Sequence, residues 1–141
     1  MNLKDQIYEA RDILLNIFDQ PKPTLGIDLD GCVDESPKFF SILSQVWPGD
    51  VIVVTYQSDR DKAIADLEKH VIKFTDVVLV SSIDAKAEVI KERGIDVYID
   101  DQPEMLKNIP PDVSVMLFRN EGNFDFGDRK WMFSNETGKM V

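Results

Sequence analysis

Asp28 and Asp30 stand two residues apart behind the apolar run Leu25-Gly26-Ile27, and Gly31 closes the segment. A second acidic pair, Asp100-Asp101, closes Val97-Tyr98-Ile99. Between the pairs, Thr55 ends Val51-Ile52-Val53-Val54, and Lys86 follows Val77-Val78-Leu79-Val80 and the serines Ser81 and Ser82. In a strand, positions two apart face the same way, so Asp28 and Asp30 are expected to project together, away from Leu25, Ile27 and Leu29. Open parallel sheets bind ligands at the carboxyl ends of their strands. Four carboxylates, one hydroxyl and one ammonium are therefore predicted to meet along one sheet edge. Like charges at short range repel and raise each other's pKa, a conflict that a divalent cation removes. With one His and one Cys in the chain, a zinc-type donor set is poorly supplied. Hard oxygen ligands suit Mg²⁺, which keeps several waters and bridges to substrate phosphate. N-capping of the following helices is the competing use of an Asp; it accounts for a single acid more readily than for the whole set.

The elements that would position these groups read off the periodicity. Leu3, Ile7, Leu14, Ile17 and Phe18 form a helical stripe over residues 3–18, stopped by Pro21-Lys22-Pro23. A short strand follows over 24–31, then a helix over 35–46, a turn at 47–50, and a strand over 50–55 apolar on both faces. A helix over 59–70, a strand over 77–81 and a helix over 84–93, ended by Gly94, lead to a strand over 96–101. A short helix near 103–108 and a fifth strand over 113–118 complete the alternation. Strands alternating with helices imply a parallel sheet with both faces covered, and continuous Val/Ile runs are what such strands need. The predicted fold is one α/β domain, three-layer and Rossmann-like, with about five parallel strands. Residues 120–141, where Phe124, Phe126, Trp131 and Phe133 stand among polar residues, are expected to form a flap or hairpin. The helix over 1–20 is expected to pack on the core, a dimer surface being the other use of its stripe.

Composition bounds the function. A chain of 141 residues makes about one domain, large enough to fold on its core alone. A single cysteine forms no internal disulfide, which fits a reducing compartment and a cytoplasmic protein. The net charge of −10 argues against an extended nucleic-acid or anionic-membrane surface, but not against a phosphorylated substrate held through a metal. The longest apolar runs are far shorter than the ~18 residues a bilayer span needs, and MNLKDQIYEA lacks the apolar stretch of a secretory signal. Cys32 reads as a small filler behind the glycine, His70 as a helix-end cation, and Ser81-Ser82 as a helix-start turn.

In order and spacing, these motifs resemble those of the haloacid dehalogenase-like phosphohydrolases. Asp28-Leu29-Asp30-Gly31 is similar to the first motif, Val51–Thr55 to the second, Lys86 to the third and Tyr98-Ile99-Asp100-Asp101 to the acidic fourth. The resemblance covers about residues 24–119. It implies that Asp28 is a nucleophile forming an aspartyl-phosphate, and Asp30 the general acid and then base. It further implies that Thr55 binds the phosphoryl oxygens and Lys86 neutralises charge there. Asp100 and Asp101 would hold Mg²⁺ directly or through water, together with Asp28 and the Asp30 carbonyl. Tyr56-Gln57 stand where many members carry a small residue, and are expected to shape substrate access. A response-regulator receiver has similar parts, but its phosphorylated Asp ends the third strand, where this chain has Val80-Ser81-Ser82. A P-loop is excluded because no Gly-x4-Gly-Lys-Ser/Thr occurs.

Each gap between motifs leaves room for one helix, so no cap domain is expected. An open site suits a small phosphomonoester, such as a nucleotide or sugar phosphate, or a macromolecular phosphate; a homo-oligomer could supply a lid from a neighbouring subunit. A non-catalytic binding domain that keeps the fold, and phosphoryl transfer to an acceptor other than water, are the alternative expectations.

Overall fold

The computed structural model describes residues 1–19 and 21–120. Five strands, β1 (Leu25–Ile27), β2 (Val51–Thr55), β3 (Asp76–Leu79), β4 (Val97–Asp100) and β5 (Ser114–Leu117), form one sheet in the order β3-β2-β1-β4-β5. Every pairing is parallel. Helices α1 (Leu3–Asp19), α2 (Pro37–Val46), α3 (Arg60–Lys69) and α4 (Ile83–Glu92) alternate with the strands. The predicted α/β class, parallel sheet and three-layer Rossmann-like arrangement are what the chain adopts.

Strand alternation divides the core in two. Leu25 and Ile27 of β1, Val51 and Val53 of β2 and Ile99 of β4 pack with Phe40 of α2 and with Ala63 and Leu67 of α3. Ile52, Val54 and Tyr98 face the opposite way and pack with Ile90 on α4. On that second face Gly26 is a matter of space. A Cβ at Gly26 would lie 2.8 Å from Tyr98 Cδ2, so the missing side chain lets the Tyr98 ring lie across β1. Helix starts and stops follow their local chemistry. Asp59 Oδ1 accepts from Lys62 N–H at 3.0 Å and Ser82 Oγ from Ala85 N–H at 3.2 Å, capping α3 and α4. Ser82 thus fills the helix-start role, and His70 is the residue that ends α3. Gly94, at φ +60°, takes the left-handed turn after α4.

Three expectations need correction. The first strand stops at Ile27, much shorter than the segment 24–31, because a kinked helical turn over Leu29–Val33 follows at once. β5 is not buried on both faces: it is an edge strand, with Val115 and Met116 exposed. Over its described side chains the N-terminal helix does not pack on the core; Leu3, Ile7, Tyr8, Ile13, Leu14 and Leu15 of α1 are all exposed. Its amphipathic pattern specifies a face to be covered without specifying by what. The flap expected over 120–141 falls, from residue 121 onward, outside the described residues. Among the described residues, the β1–β2 and β2–β3 connections carry one α-helix each, α2 and α3, and no helix is long and apolar enough to cross a membrane.

Candidate functional site

The chemistry sits at the carboxyl end of the sheet, around the β1 tip. Asp28 N–H donates to Ile99 C=O at 3.0 Å, fixing the β1 tip to β4. By alternation Asp28 follows Gly26, and Asp100 follows Tyr98, onto the α4 face. There Lys86, 1 % exposed, is supplied by α4. Its Nζ lies 2.7 Å from Asp100 Oδ2 and 3.1 Å from Asp28 Oδ1. Asp100 Oδ2 also accepts from Tyr98 Oη at 2.7 Å, and its Oδ1 from Gln102 N–H at 3.0 Å. Both oxygens of Asp100 are therefore occupied by protein donors. Isolated buried charges cost several kcal/mol each unless paired and hydrogen-bonded; this network supplies both.

The charge balance remains uneven, with three carboxylates, Asp28, Asp100 and Asp101, around one ammonium. Burial works against the Lys86 ammonium, but the Asp28 and Asp100 charges and their hydrogen bonds outweigh it and hold Lys86 above its ordinary range. Asp28 is the carboxylate left short of positive charge. Burial raises it to about 8; Lys86 pulls down, while Asp100 and Asp101 push further up. Asp101 is raised by burial, against a lowering hydrogen bond from Asn120, and it shares a hydrogen bond with Asp28. Two carboxyl groups hydrogen-bond only when a proton lies between them. Burial, followed by the Asp100 and Asp28 charges, keeps the Tyr98 hydroxyl protonated and thus a donor.

The same acidic group could hold a cation. Donor atoms of Asp28, Asp101 and Cys32 lie within 4.8 Å of one another. Burial, followed by the neighbouring Asp28 and Asp101 charges, pushes the Cys32 thiol well up. The group thus offers two carboxylates and one thiol as donors. Gly31 makes the site compact. It sits at φ +86°, and a Cβ there would collide with the Asp101 carboxyl group. Asn120 Nδ2 donates to Gly31 C=O at 2.8 Å and to Asp101 Oδ2 at 3.1 Å, tying the loop to Asp101.

The predicted residues do not all gather at one point. Lys86, Asp28 and Asp100 are in contact, and Asp101 joins them through Asp28. Thr55 lies at the same sheet end, fully buried, with its Oγ1 lacking any partner; it follows Val53 in alternation and so faces the other way. Asp30 separates from Asp28. The chain leaves the extended conformation after Asp28, so the period of two does not reach residue 30. Asp30 is exposed, and Gln57 Nε2 donates to both of its oxygens at 3.0 and 2.9 Å. It borders an open cleft of about 600 Å³, lined also by Tyr56, Ser58, Lys62, Leu79 and Ser81. Cys32 is fully buried in the core, as a filler should be, but it also touches the acidic group. Tyr98 and Asn120 were missed. Tyr98 carried a signal, standing two before Asp100 and therefore on its face; Asn120, 89 residues from Gly31, carried none.

Neither a family model, nor a curated protein, nor a solved structure matches this chain.

Proposed function

We propose that the chain is a phosphomonoester hydrolase of the haloacid dehalogenase-like type, without a cap domain, Mg²⁺-dependent and working through an aspartyl-phosphate on Asp28. One observation carries this reading: a buried ammonium, Lys86, touches both the carboxylate ending β1 and the one ending β4. A salt bridge meant only for stability gains nothing from a third carboxylate beside it; a site that must receive an anionic group and a cation does.

In this reading an Asp28 carboxylate oxygen attacks phosphorus, and the bond from phosphorus to the leaving oxygen breaks. Asp30 gives its proton to that oxygen. Water then attacks the phosphorus of the aspartyl-phosphate and gives its proton to Asp30, and the phosphorus–Asp28 oxygen bond breaks to release inorganic phosphate. Lys86 places fixed positive charge beside the attacking oxygen. Thr55, the phosphoryl-oxygen ligand that the resemblance implies, is fully buried at the same sheet end with an unpartnered hydroxyl, on the face opposite Asp28. Asp28 and Asp101 would hold Mg²⁺, which supplies charge that keeps Asp28 ionised and screens the phosphoryl group.

The test is phosphate release from a phosphomonoester panel with and without Mg²⁺. Release that needs Mg²⁺ and disappears in Asp28→Asn is the expected result; release that persists in Asp28→Asn overturns the nucleophile. A phosphate-binding domain without turnover is the second reading, favoured by the Asp30 hydrogen bonds to Gln57 rather than into the Lys86 cluster. Phosphate binding without release from any compound would support it.

A further inference from the structure

We propose that the cleft beside Asp30 is the leaving-group subsite and that it selects an uncharged leaving group with a planar aromatic face, a nucleoside, over one carrying a second anionic group. This deepens the hydrolase reading and rests on it for the role of Asp30. The cleft is bordered by Asp30 but not by Asp28, Lys86 or Asp100. A general acid gives its proton to the leaving oxygen, so whatever that oxygen carries lies on the acid's side. The phosphoryl group belongs with Lys86, and the remainder of the substrate belongs in the cleft.

Charge decides what the cleft accepts. Two of its lining residues are acids, Asp30 and Asp59, and its cation, Lys62, is already paired with Asp66 at 3.0 Å. A second phosphate or a carboxylate placed there would meet unfavourable charge, with no uncommitted lysine or arginine among the described lining residues. Shape and polarity then favour a nucleoside. The Tyr56 ring is 57 % exposed and forms part of the wall, beside apolar Leu79 and Val80. Bases stack on such rings whatever their sequence identity. Ser58 and Ser81 add hydroxyls suited to ribose. At about 600 Å³ the cleft lies within the usual ~300–1,000 Å³ of small-molecule sites, more than a single sugar ring fills.

The experiment has a binding arm and a turnover arm. Calorimetry would measure adenosine and adenosine 5′-monophosphate on the wild type, Tyr56→Ala and Tyr56→Phe. Phosphate release would be followed from adenosine and uridine 5′-monophosphates, ribose 5-phosphate and fructose 1,6-bisphosphate. Expected are adenosine binding weakened by roughly 5- to 100-fold in Tyr56→Ala but retained in Tyr56→Phe, and kcat/KM highest for the nucleotides and lowest for the bisphosphate. Tyr56 is exposed, so the variants are expected to stay folded. Adenosine binding that ignores Tyr56→Ala, or a bisphosphate turned over as well as a nucleotide, overturns the subsite while leaving the hydrolase reading standing. Tyr56-dependent adenosine binding with no phosphate released from any compound sinks the hydrolase reading and leaves the nucleoside site.

Discussion

Asp28 and Asp30 are two residues apart and chemically identical, yet they occupy opposite environments. Asp28 is buried against Lys86, with Asp101 and Cys32 close by. Asp30 stands in an open cleft and accepts hydrogen bonds from the amide of Gln57. The contrast shows how one short loop gives two carboxyl groups separate duties: one is placed where charge is costly and cations fit, the other where solvent and a leaving group can reach it. Differences of environment of this kind are how paired carboxyls come to act as different reagents.

The comparison can be broken in several places. The largest expected effect is on turnover: Asp28→Asn should lower phosphate release by at least ~10³-fold while the chain stays folded, as losing a nucleophile usually does. Initial-rate assays beside circular dichroism check this. Next is Lys86→Met, which leaves Asp28 and Asp100 buried without a counter-charge. It should cost roughly 3–5 kcal/mol in urea unfolding; a loss under about 1 kcal/mol would show that the cluster does not depend on its ammonium.

A pH series sharpens the comparison without mutation. The folded protein holds a proton on Asp28 up to about 8, whereas the unfolded chain releases it near pH 4. Between those values the folded state binds more protons, so stability should fall as pH rises, by about 1.4 kcal/mol per pH unit at the steepest. Below that window the contribution is fully present. Millimolar Mg²⁺ should flatten the slope, because a cation replaces the proton. Thermal melts from pH 4 to 9, with EDTA or with Mg²⁺, measure both; a slope unchanged by Mg²⁺ counts against Asp28 and Asp101 as its ligands.

The smaller effects separate the two environments most finely. Tyr98→Phe removes one hydrogen bond to the buried Asp100 carboxylate and should cost about 1.5–3 kcal/mol by the same unfolding measurement. Gln57→Leu, on the open side, should change stability by less than about 0.5 kcal/mol. Equal losses in the two variants would erase the distinction between a shielded cluster and a solvated cleft.

How much of this was legible in the sequence depends on the range of the signal. Val51–Val54 announced a strand covered on both faces, because four consecutive apolar side chains leave no face for water. Lys86 was placed with the acids by its position near the start of α4, one turn from a strand end. The divergence of Asp28 and Asp30 was not legible, because alternation holds only while the chain stays extended, and the turn beginning at Leu29 ends it. Nor was the different use of Asp100 and Asp101. Adjacent residues on a strand point to opposite faces, but only the fold shows that one face carries Lys86 and Tyr98 and the other Gly31 and Asn120. The stripe on α1 was read correctly as amphipathic and incorrectly as core, since periodicity contains no information about what lies opposite.

The strand order has a consequence for how the molecule is made. β1 occupies the middle of the sheet, between β2 and β4, and as the chain is synthesised β2 emerges soon after it but β4 much later. Until α4 is made the Asp28 carboxyl lacks Lys86, and until β4 is made the Asp28 N–H lacks the Ile99 carbonyl and the Leu25–Ile27 edge has hydrogen-bonding partners on one side only. Long-range pairings of this kind close late and slowly. A chain stalled on the ribosome before Lys86 therefore carries an open strand edge and an acid with no counter-ion. Assembly of the Asp28–Lys86–Asp100 cluster coincides with the docking of β4 on β1.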